Sequence, residues 1–204
     1  MPPRIIKPRK FFYDMLDDEV HAAVENALSA FRKAGAPVGE VDVPGIELAP
    51  GIQLITINSE ASQAHWKLLA NSGDKLGEDV RTRLEIGQFY LAVDYIKAQQ
   101  LRAQVRQSMI ASFGNADVMI IPAMPVLPPK NGTTTINLGG RNVHVAPTLT
   151  RLTSPINFCG FPALSMPCGK SKSGLPVNLQ IVGRPGADAS VLSTARWCER
   201  VLSQ

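Results

Sequence analysis

Cysteine is scarce in this 204-residue chain: Cys159, Cys168 and Cys198 are the only three, and no two form a CxxC pair. An odd, widely spaced set fits neither a disulfide framework nor a thiolate zinc site, and suggests reduced thiols in a cytoplasmic protein. Histidine is equally sparse. His21, His65 and His144 lie far apart without HExxH spacing, so no metal centre is implied. Aromatic residues make up only 6%, and none interleave with the single basic cluster of Arg4, Lys7, Arg9 and Lys10. That cluster is read as the solvated ends of a strand and loop, and no nucleic-acid partner is expected. No apolar run approaches the roughly 20 residues of a bilayer span, and no signal-peptide core follows Met1, so no membrane partner is expected either. Nucleotide loops are missing too. GxGxxG does not occur, and GKS at 169–171 has Leu164 where a phosphate loop needs glycine. No cofactor is implied.

What remains is an ordinary globular composition, 45% hydrophobic and 19% charged with a net charge of +4. A chain of this length buries roughly 70% of its unfolded surface and can form one large domain or two small ones, of which a single α/β domain is expected here. Arg4–Lys7 suits a buried strand. Asp17, Asp18 and Glu19 then favour the positive end of a helix whose apolar stripe is Val20, Val24, Ala27 and Phe31. Gly35 fits the position after that helix, and Val38–Val43 reads as a second strand, parallel to the first through a right-handed crossover. His21 falls on the flank of the stripe.

Pro50 is placed to open a helix reaching about Asn71, with a strand as the alternative for QLITIN. Glu78 to Ser112 reads helical with a break at Gly87. Its apolar positions are Leu91, Tyr95, Ala98, Leu101, Val105 and Met109, with Gln99, Arg102, Arg106 and Gln107 facing outward. DVMIIP is a buried strand stopped by Pro122. Gly139-Gly140 marks a hairpin, because both central residues can take positive φ. ALSMPCG and PVNLQIVGR form two further strands joined by KSKSG. A final helix, Asp188 to Leu202, carries Val191, Leu192, Ala195, Cys198 and Val201 on one face. Strands and helices mixed in this way predict an α/β fold with a mixed β-sheet flanked by helices.

No catalytic constellation emerges from these elements. A serine hydrolase holds its nucleophile on a tight, glycine-rich turn, but Ser165 sits in the strand pattern PALSMP without flanking glycine. It is read as a buried or edge-strand serine. Cys159 and Cys168 are read as structural, since a cysteine nucleophile needs a positive neighbourhood and a histidine partner.

The order of RIIKPRKFF, HWKLL, EDVRTRLEIG, DYIKAQQLR, ADVMIIPAMPVLPP, SPINFCGFPALSMPCG and GLPVNLQIVGRP over residues 4–202 resembles the C-terminal half of amidase-signature hydrolases, a family that includes the A subunit of glutamyl-tRNA amidotransferase. The resemblance implies hydrolysis of an amide C–N bond by a serine nucleophile, a second serine as proton relay and a lysine base. Backbone N–H groups of a GGSS-type loop hold the oxyanion. Lysine acts as a base there only because burial and neighbours lower its pKa.

That catalytic stretch is absent from this sequence. Gly139-Gly140 is followed by Arg141-Asn142, no lysine stands in the family's context, and all three catalytic residues would lie upstream of Met1. The implied catalytic set in this chain is therefore empty, and activity alone is not expected. Carried over are three candidate substrate-binding residues: Arg83 in TRLEIG, which resembles a carboxylate-holding arginine, and Asn157 and Gln180, near the pocket on the SPIN turn and the GLPVNLQ strand. Thr150 stands where the amidotransferase branch has an acid, which points to a plain amidase acting on a small-molecule amide. The alternative is a non-catalytic binding or interaction module built on the same scaffold. Half a fold should leave apolar surface and a sheet edge uncovered, so the expected partner is an N-terminal amidase half or a second copy of the chain, giving an oligomer.

Overall fold

The computed structural model describes residues 1–203. The chain begins with β1 (Ile5–Pro8), α1 (Asp18–Lys33) and β2 (Val38–Val41), followed by four helices: α2 (Ala49–Ala64), α3 (Trp66–Ser72), α4 (Glu78–Gly87) and α5 (Ala92–Ser112). Strand β3 (Val118–Pro122), the hairpin β4 (Thr135–Leu138) and β5 (Arg141–His144), and short helices α6 (Val145–Thr150) and α7 (Ser154–Cys159) come next. The order closes with β6 (Ala163–Lys170), β7 (Pro176–Val182) and α8 (Asp188–Leu202).

Five strands form one mixed sheet in the order β2-β1-β3-β7-β6. The β1 strand is parallel to β2 and β3, whereas β7 runs antiparallel to both β3 and β6. Alternation along the strands sends Ile5, Val118, Ile120, Leu179 and Ile181 to one face, where α1 and α8 cover them. Ile6, Met119, Ile121 and Val182 go to the other face, into a core shared with α2, α5 and α7. Helix α4 packs on α2 as an outer layer.

Local chemistry explains the boundaries. Asp17 caps α1 by accepting from the Glu19 N–H at 2.8 Å, and Gly35 follows the helix at φ +89°. Both hairpin glycines, Gly139 and Gly140, take positive φ. The helix expected from Pro50 to Asn71 is interrupted at His65, so it becomes α2 and α3, and QLITIN is helical. Gly87 ends α4, and it is packed so closely on α2 that a Cβ there would lie 2.1 Å from the Asn58 carbonyl oxygen. Two expectations are corrected. Lys7 is not solvated; it pairs with Glu25 and lies over the Tyr13 ring. Leu192 is 61% exposed because none of the described residues covers α8 beyond the β6 edge.

Candidate functional site

The stretch containing SPIN is a short helix rather than a turn, and every carbonyl of its last turn has a donor. Gly160, at φ +69°, lets its own N–H return to the Asn157 carbonyl and the Phe161 N–H to that of Ile156, both at 3.1 Å. The two carbonyls left over belong to Phe158 and Cys159. Arg102 donates to the first and Arg106, at 2.9 Å, to the second. These arginines therefore do not face solvent, as their helical spacing suggests. They reach from α5 to the negative end of α7, where positive charge is favoured.

The start of α7 is tied down as well. Ser154 Oγ donates to the Thr150 carbonyl. Arg151 stacks its guanidinium 4.2 Å from the Phe11 ring centroid and donates to the Phe11 carbonyl. Phe11 is a non-glycine residue at φ +64°, and its N–H is held by Asp14 Oδ2 at 2.8 Å. Burial lowers the Arg151 pKa, with the Asp14 charge opposing. The result is a rigid mount that delivers the chain through Gly160 and Phe161 into β6.

Gln180 lies at the middle of β7 with Ile121 and Ser165 as its cross-strand neighbours, and it is 6% exposed. Its side chain shares the α7 face of the sheet with Asn178. The Asn178 Oδ1 is buried without a partner among the described residues. Asn157 is exposed on α7, on the same side of the sheet. Arg83 stands apart: it is exposed on α4, and the cleft beside it is lined by Arg81, Glu85 and Gln88 instead. Thus the structure sets Asn157 and Gln180 on one side of the sheet and leaves Arg83 on the outer helical layer. Sequence reading missed Asn178 and the two clamping arginines. Asn178 shares the period-two alternation with Gln180, and that signal was available.

No thiol here is poised to attack. Burial pushes Cys159 up to about 11, despite the lowering influence of Arg102 and Arg106. Cys168 and Cys198 are pushed up to about 12 by the same cause. Ser165 is exposed on the edge strand, as expected. Beside it a groove of about 770 Å³ runs between β6 and α8, with Leu164, Met166, Cys168, Leu192 and Ala195 in its lining. No group of three or more potential metal ligands occurs among the described residues, and no helix there is long and apolar enough to cross a membrane.

This mixed sheet with helices on both faces is shared with a solved amidase. The family model described as Amidase matches residues 2–192, and the chain belongs to that family. A fatty acid amide hydrolase of Arabidopsis thaliana is 34% identical over 207 residues, covering 97% of this chain and 33% of that protein. An amidase of Pseudomonas putida is 33% identical over 177 residues, 82% of this chain and 36% of its own length. A solved amidase superposes with a TM-score of 0.92 at 27% identity, covering 98% of this chain and 46% of its own. The chain thus spans between a third and a half of the lengths of these relatives.

Proposed function

We propose that this chain is a single α/β domain forming the C-terminal section of an amide C–N hydrolase, and that it performs no hydrolysis by itself. One observation carries this reading: a family match over nearly the whole chain, in a sequence that has no GGSS-type loop and no lysine in the family's catalytic context. The substrate class of the completed enzyme is a small-molecule amide. Supporting this, two of the relatives are named as an amidase and a fatty acid amide hydrolase, and Thr150 stands in place of the amidotransferase branch's acid.

In this reading α7 and β7 form one wall beside the reacting centre. Asn157 and Gln180 supply its polar groups, and Arg83 is available on the outer layer for a substrate carboxylate. The serine, relay serine and lysine come from the complementary section, which is the natural partner. Three unpaired cysteines fit a reducing, cytoplasmic setting. A fluorophosphonate reagent that labels activated serines tests the proposal. The chain alone is expected to stay unlabelled, and a mixture with a complementary amidase section to be labelled on that section only. Labelling of Ser165, or of any serine in the isolated chain, would refute it.

A further inference from the structure

We propose that Asn131 is a modification site, at which the Gly132 nitrogen closes on the Asn131 side chain and converts it, through a succinimide, to an isoaspartyl or aspartyl residue. The chemistry needs only water and is independent of the function proposed above.

The sequence holds nine asparagines, and the structure separates one from the rest. Ring closure brings the nitrogen of the following residue onto the side-chain carbonyl carbon. It needs rotation about the asparagine ψ, an unengaged N–H and no bulk on the following residue. Asn26, Asn58, Asn71 and Asn157 lie in helices, where regular structure fixes ψ. Asn137, Asn142 and Asn178 lie in strands and are held in the same way. Asn115 is outside both, but the Ala116 N–H that would attack donates to the Phe113 carbonyl at 2.7 Å, and Ala116 carries a Cβ.

Asn131 meets every condition. It lies between β3 and β4 in a segment without helix or strand, and both Asn131 and Gly132 are exposed. Among the described residues, neither the Asn131 side chain nor the Gly132 N–H has a hydrogen-bond partner. Nothing lies within 4 Å of a virtual Cβ on Gly132. The turn is closed by the Thr133 N–H donating to the Lys130 carbonyl at 3.1 Å, with Gly132 at φ +82° in the third position that a type II turn reserves for glycine. Opening that bond frees ψ.

The atoms balance without a further reactant. The Gly132 N–Cγ bond forms, the Cγ–Nδ2 bond breaks, and the Gly132 proton leaves with the departing ammonia. Water then opens the ring. Cleavage at Cγ gives aspartate, and cleavage at the main-chain carbonyl gives isoaspartate, with one carbon added to the main chain inside the turn. Either product sets a carboxylate beside Lys130 and lowers the net charge by one from +4. This is a single event per chain, distinct from turnover of an added amide.

The test ages the full folded chain for days in mildly alkaline buffer, then digests it with pepsin in acid and maps the peptides by mass spectrometry. Conversion at Asn131 is expected to exceed that at Asn115, or at any other asparagine, on the order of tenfold or more, with isoaspartate in excess over aspartate. Gly132→Ala should slow it by a similar factor. Should Gly132→Ala fail to melt cooperatively, Asn131→Gln, which leaves Gly132 in its turn, should lose the acidic species that isoelectric focusing shows in the aged parent. Three results would overturn the site: conversion at Asn131 no faster than at Asn115, an acid formed at Asn131 without isoaspartate, or an undiminished acidic species in Asn131→Gln.

Discussion

Arg106 of α5 donates from Nε to the carbonyl of Cys159, at 2.9 Å, across 53 residues of sequence. With Arg102 on the Phe158 carbonyl, it completes the C-terminal turn of α7. This helix holds the wall that the proposed function assigns to the pocket.

Replacing Arg106 by alanine leaves a carbonyl at the helix end without its charged donor. We expect a loss of about 1.5–3 kcal/mol, the range for hydrogen bonds to charged groups, read from urea denaturation. Arg106→Lys should recover part of it, because a lysine keeps the charge at the helix terminus. An unchanged midpoint for Arg106→Ala would mean that α7 does not depend on the clamp.

Gly87 sits where no side chain fits, with a virtual Cβ 2.1 Å from the Asn58 oxygen and 2.7 Å from the Ser62 Cβ. Gly87→Ala must push α4 off α2, and should cost about 1–3 kcal/mol or more. Gly51, which has nothing near its virtual Cβ, is the control: Gly51→Ala should be neutral or slightly stabilising. Equal melting temperatures for the two variants would refute the packing argument.

The thiols set an alkaline limit. Their folded pKa values, about 11 for Cys159 and about 12 for Cys168 and Cys198, lie above the ordinary value of 9.0. Below pH 9 both folded and unfolded thiols hold their protons, and the thiol contribution is flat. Between pH 9 and about 12 the unfolded chain gives up protons that the folded chain keeps, so stability falls as pH rises. Denaturation midpoints from pH 7 to 11 should show this decline, and Cys198→Ala should reduce its slope. Native cysteines that react with a thiol reagent at pH 8 as fast as unfolded ones would contradict it.

Apolar side chains crowd the outer helices: Phe89 is 82% exposed, and Trp66, Leu91, Val93 and Ile96 are also exposed. Together with the open β6 edge, this surface should drive self-association at micromolar concentration when no partner is present. Light scattering should report a species larger than a monomer. A clean monomer with cooperative melting would favour an independent domain instead.

Much of this fold was legible because its signals are local. Gly139-Gly140 specifies its hairpin through backbone conformation alone, and Gly87 breaks the helical run where α4 ends. A short apolar run stopped by Pro122 located β3, which is buried at every position, and the order of motifs located the family. What escaped the sequence depends on distant partners. Arg102 and Arg106 have the spacing of a solvated face, and only the fold brings α7 to them. Leu192 continues an apolar stripe, yet it is exposed because the sheet stops at β6. Lys7 looks like part of a basic surface cluster until α1 places Glu25 against it. Of the three candidate site residues, Gln180 and Asn157 share one side of the sheet, whereas Arg83 resides on a helix whose relation to that sheet no local pattern encodes.

The most direct measurement is ammonia release from a panel of primary amides, with this chain titrated into a fixed amount of complementary amidase section. The account predicts none from the chain alone, and activity that rises to a plateau at a one-to-one ratio. Hydrolysis by the isolated chain would contradict it.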